Sequence, residues 1–137
     1  MKRGLIVALI LVLLLVSVSA QEIQIKIQDI KDVTIAGDAA IYKIEIKNNR
    51  NTREYFNIKL EDFSLQPFSP LINAYEISKT QIELAAKSTT YIDLKIMTNK
   101  ELTPGQYNSS IKVSSADGLY QSNQEIKTTI IPTHELV

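Results

Sequence analysis

His134 is the single histidine of this 137-residue chain, and it follows Pro132 in a predicted tail, residues 133–137. Acid–base and metal chemistry need groups held by ordered elements, so a lone imidazole in a tail is not expected to act. The carboxylates of Glu45, Glu61, Glu83 and Asp93 fall on outward positions of predicted strands, where charge keeps a face solvated. Glu61-Asp62, or Asp29 with Asp32, could touch a calcium ion. Neither has the spaced Asp-x-Asp-x-Asp-Gly form of a calcium loop. The chain carries no Gly-rich phosphate loop, no Gly-x-Ser-x-Gly elbow and no cysteine. No catalytic, cofactor-binding or metal-binding residue is therefore assigned, and the expectation is a protein that is not an enzyme.

Two other residue classes could do recognition. Exposed tyrosines can stack on sugar rings, but alternation puts Tyr55 and Tyr91 on opposite outer faces, and Tyr42 and Tyr107 read as core. A carbohydrate-binding role, the alternative function, would rest on Tyr75, Tyr120 and the Phe63 to Phe68 loop. Asn108-Ser109-Ser110 is a glycosylation sequon whose Asn108 projects outward from a strand, so it could carry a glycan.

The N-terminus decides the compartment. Lys2-Arg3 precedes an apolar run from Leu5 to Val16, and Ser17-Val18-Ser19-Ala20 supplies small residues before Gln21. That is a secretory signal with cleavage between Ala20 and Gln21. The rival is an uncleaved anchor, but the run is short against the roughly 20 residues of a membrane span. Both readings place the remainder outside, because Lys2 and Arg3 stay cytoplasmic. Lys2 and Arg3 are 2 of the 15 basic residues, and without them 13 face 15 acidic ones, a net charge of −2. Such balance excludes an electrostatic grip on nucleic acid or anionic lipid. Membrane contact is expected only through an uncleaved N-terminal segment. The exported part suits one domain, without any disulfide to staple it.

Residues 21–132 alternate with a period of two, the mark of half-buried strands. Ile23, Ile25 and Ile27 alternate with Gln24, Lys26 and Gln28 over Glu22 to Ile30. Tyr42, Ile44 and Ile46 do so over Ala39 to Asn48, and Phe56, Ile58 and Leu60 in the next strand. Phe63 to Ala74 loses the pattern and reads as a loop, with Phe63, Leu65 and Phe68 capping the core. Tyr75 to Leu84 and Thr89 to Met97 resume it, and Leu119 to Ile131 closes the chain after the Asp117-Gly118 turn. Between them, Pro104 and Gly105 set a turn and Tyr107, Ser109, Ile111 and Val113 share one face. This has the form of a tyrosine corner, where the Tyr opening strand F turns its hydroxyl onto upstream backbone. Ser109 takes the place two residues on that is Cys in antibody domains, and its buried hydroxyl is expected to find backbone or a threonine.

Seven short strands without a helix after the signal describe an all-β, immunoglobulin-like antiparallel sandwich. Ala36-Gly37-Asp38, the strand ending at Asn48, the Pro-bearing loop, the turn before Thr89 and Pro104-Gly105-Gln106-Tyr107 together resemble NEW3-type accessory domains. These are immunoglobulin/fibronectin-III-like modules of prokaryotic extracellular proteins. The resemblance implies a non-catalytic spacer or interaction module at the cell surface, without a cofactor. The expected partner is a surface or envelope protein, met through an open sheet edge: the first strand or the last. A glycan is the other possible ligand.

Overall fold

A computed structural model describes residues 22–62 and 71–133. The expected signal segment with its Ala20/Gln21 junction, the Phe63 to Phe68 cap and His134 lie outside the described residues. Nine strands run in chain order: β1 (Ile23–Lys31), β2 (Val33–Ile35), β3 (Ala39–Asn48), β4 (Glu54–Asp62), β5 (Ile72–Ile77), β6 (Gln81–Leu84), β7 (Thr89–Thr98), β8 (Gly105–Ser115) and β9 (Gln121–Ile131). They form a four-stranded sheet ordered β1-β3-β7-β5 and a five-stranded sheet ordered β2-β9-β8-β4-β6. In immunoglobulin letters these are ABED and A′GFCC′. The strand in the D place, β5, precedes the one in the C′ place, β6.

The expectation of seven strands is corrected to nine among the described residues, for two local reasons. A short strand follows the first: the register with β3 shifts between Asp29 and Lys31, a bulge that re-aims the chain. Val33 to Ile35 then pairs in parallel with Thr129 to Ile131 in the other sheet. The stretch Tyr75 to Leu84 divides, because inward Ile77 and inward Ile82 are an odd number of residues apart and cannot share one strand face. Ile77 pairs with Leu94 of β7 and Ile82 with Phe56 of β4. β5 moreover begins inside the stretch read as a loop.

Alternate side chains fill the space between the sheets. Tyr42, Ile44 and Ile46 of β3 and Ile92, Leu94 and Ile96 of β7 meet Phe56, Ile58, Ile111, Val113 and Ile126 from the opposite sheet. A second cluster of Leu71, Leu102, Tyr107 and Ile130 closes one end. Near the middle of β3, a hydrogen-bonded link to the other sheet runs through Tyr42. The Tyr42 hydroxyl lies 2.6 Å from the Thr128 hydroxyl and donates to the Lys127 carbonyl at 3.1 Å. Burial pushes the Tyr42 phenol up to about 12.

At the corner, the Tyr107 hydroxyl donates to the Thr103 carbonyl at 2.7 Å, and Gly105 holds a φ of +153° that side chains disfavour. Tyr107→Phe is expected to lose about 0.5–1.5 kcal/mol, one buried hydrogen bond's net worth, with the fold retained in urea denaturation. Ser109 corrects an expectation, for its buried Oγ has no hydrogen-bond partner. The reason is placement. Its cross-strand neighbour on β9 is Ile126, whose side chain has no hydrogen-bonding group. An unsatisfied buried hydroxyl costs about 1–3 kcal/mol, so Ser109→Ala is expected to raise the urea midpoint, by about 1 kcal/mol of stability.

Candidate interaction surface

The described residues hold no group of three or more His, Asp or Glu that could bind a metal. Asp29 and Asp32 do come together. With Glu125 and Lys127 they line a depression of about 400 Å³ at the seam between β1 and β9. Glu45 pairs across β3 and β7 with Tyr91, and Asp93 with Lys43, on the outer face of the four-stranded sheet. Glu61 stands opposite Ser110 on the outer face of the other. Glu83 meets Arg53 at 2.7 Å, and that guanidinium's hydrogen bond holds its carboxyl below the usual range. Glu45, Glu61, Glu83 and Asp93 thus lie on outer faces of two different sheets.

The tyrosines proposed for sugar binding are not brought together. Tyr75 is 44% exposed and pairs through Ile96 with the start of β3 at Ala40. Tyr120 packs against the core with the Arg50 guanidinium 3.9 Å over its ring, beyond the far end of β3. The strand between spans roughly 26 Å at about 3.3 Å per residue. One sugar unit cannot touch both. Asn108 is exposed on β8 opposite Lys127, so its side chain is accessible as the sequon reading required.

The sheet edges differ from one another in what they leave open. The Asn49 N–H donates to the Glu22 carbonyl at 3.0 Å, and the register steps from Ile23↔Asn48 through Ile27↔Ile44. Even-numbered β1 residues therefore exchange bonds with β3, and Ile23, Ile25 and Ile27 turn N–H and C=O outward. Their side chains meanwhile face the core, Ile23 and Ile25 being buried and Ile27 half-buried. On β9 the Thr129 N–H is used by the Asp32 carbonyl and β2 covers Thr129 to Ile131. Tyr42 occupies the Lys127 carbonyl. What remains of the last strand's edge is its first half, where Gln121, Asn123 and Glu125 turn N–H and C=O outward, so each edge offers three such pairs; on β1 they belong to core-facing isoleucines and on β9 to exposed polar residues.

Comparison with solved structures bears on the fold. A family 123 glycoside hydrolase from Clostridium perfringens matches at a TM-score of 0.65 and 12% identity, over 80% of this chain and 27% of that one. The chain thus spans about a quarter of that hydrolase. A FixG-related protein from Vibrio parahaemolyticus matches at 0.62 and 7% identity, over 82% of this chain and 100% of the other. The ASH/PapD-like domain of human CEP192 matches at 0.54 and 10% identity, over 83% and 88%. The chain matches no family model and no curated protein. At such identities the likeness is one of fold: an immunoglobulin-like β-sandwich.

Proposed function

We propose that this chain is an exported, non-catalytic immunoglobulin-like module of the NEW3 type, which serves a structural or protein-interaction role at the cell surface. The observation that carries it is the β1 edge, where three successive outward N–H and C=O pairs from Ile23 to Ile27 lie on a rigid sheet. A strand added there needs only backbone groups, and side-chain pockets then give selectivity. Lys26 on the outer face keeps the free edge soluble until it is met. The partner is a surface or envelope protein with an extended segment.

Two measurements test the parts separately. Intact mass spectrometry of protein recovered from the cell surface should show a chain beginning at Gln21. Recovery of full-length protein from the cytoplasm alone contradicts export. Ile27→Pro removes an N–H that the β3 ladder does not use, a tolerated edge substitution, and should abolish retention on the cell surface while the fold persists. Retention equal to the parent's contradicts edge pairing.

A further inference from the structure

The outer face of the five-stranded sheet carries a row of uncharged polar side chains in register. Gln81 of β6 stands opposite Asn57 of β4, Asn57 opposite Ser114 of β8, and Ser114 opposite Gln121 of β9. All four have outward parity, their chain neighbours Phe56, Ile82 and Val113 being buried. Three strand spacings make the row about 14 Å long. Beside one end lies Tyr55, 57% exposed. It lines a depression of about 400 Å³ with Asn57, Gln81, Glu83 and Ala116. Among the described lining residues the one charged side chain, Glu83, is paired with Arg53 at 2.7 Å. Lys59 and Lys112 form the next row and are not part of the lining.

We infer that this face is a binding site for a neutral oligosaccharide, with Tyr55 as the platform for one ring and the amide row aligned along the chain. Each part fits that chemistry. The apolar C–H face of a pyranose packs on an exposed aromatic ring, whose body is apolar and whose rim is wet. Asn and Gln side chains each offer both a donor pair and an acceptor, which matches hydroxyls that are donor and acceptor at once. The lining itself carries no unpaired charge, so a ligand seated on Tyr55 is held without an ion pair. The site is distinct from the β1 edge, which belongs to the other sheet.

The test is affinity gel electrophoresis and titration of the full chain with neutral hexasaccharides of glucose, xylose, mannose and N-acetylglucosamine, beside a polyuronate as the anionic arm. At least one neutral glycan should bind, and Tyr55→Ala should weaken it about tenfold, the worth of a lost ring contact. Tyr91→Ala, equally exposed on the opposite sheet, should leave it unchanged, as should Ile27→Pro. Tyr55 is on the surface, so its variant keeps the fold. Binding of none of the neutral glycans, binding of the polyuronate alone, or equal losses from Tyr55→Ala and Tyr91→Ala would each overturn the inference. Loss of surface retention in Ile27→Pro with glycan binding intact bears only on the edge.

Discussion

Asn48→Ala is expected to lower the unfolding free energy by about 2–4 kcal/mol, far more than a turn asparagine normally costs. Asn48 is fully buried, at the end of β3, and its side chain works as a bracket. Its Nδ2 donates to the carbonyls of Thr52 at 2.9 Å, Leu84 at 3.1 Å and Ala85 at 3.2 Å. Its Oδ1 accepts from the Arg50 N–H at 3.0 Å. One residue thereby ties the β3–β4 turn to the end of β6, which joins the two sheets at that pole. Alanine removes the partner of the buried Leu84 carbonyl and unties the part-buried Thr52 and Ala85 carbonyls and Arg50 N–H. Urea denaturation should show a lower midpoint with an unchanged slope. A loss below about 0.5 kcal/mol, the scale of a surface change, would mean that the bracket adds nothing.

Phe56→Ala should cost still more, about 3–5 kcal/mol. Phe56 is 1% exposed, sits between Ile82 of β6 and Ser115 of β8 in its own sheet, and belongs to the main cluster. Truncation loses the transfer energy of the ring and leaves a cavity that the rigid sheets close only in part. Against the 5–15 kcal/mol typical of a whole domain, that is enough to make the variant marginal, so denaturation is best followed at low temperature. Phe56→Leu, which keeps most of the volume, should recover the larger share. Equal losses for the two would place the ring outside the core.

Much of this architecture was legible in the residues. Inward positions such as Ile44, Leu94 and Ile111 follow from alternation, because a half-buried strand has only one way to present greasy side chains to its partner sheet. The Tyr107 hydroxyl bond to Thr103 follows from a local turn and needs no distant information. The division of Tyr75 to Leu84 was also written there, in the odd spacing of Ile77 and Ile82, but one continuous strand was the simpler reading. Other features depend on which strands become neighbours, and a single sequence does not carry that. Asn48 looks like one of several turn asparagines until the end of β6 is brought against it. Ser109 is left without a partner because the strand beside it, β9, presents Ile126. The same holds for the surface. The amide row is invisible along the chain, since Asn57, Gln81, Ser114 and Gln121 come from four strands and align only through the registers. Tyr75 and Tyr120, read together as glycan contacts, sit near opposite poles.

The central claim is that recognition by this module runs through the free backbone of its first strand. Amide hydrogen exchange tests it most directly, comparing the free chain with its mixtures with each candidate surface protein. The amides of Ile23, Ile25 and Ile27 should exchange quickly in the free chain and slow markedly with the true partner, while the β3 and β7 interior is unchanged. Equal lability of these three amides with every candidate, or protection confined to the opposite sheet, would contradict the account.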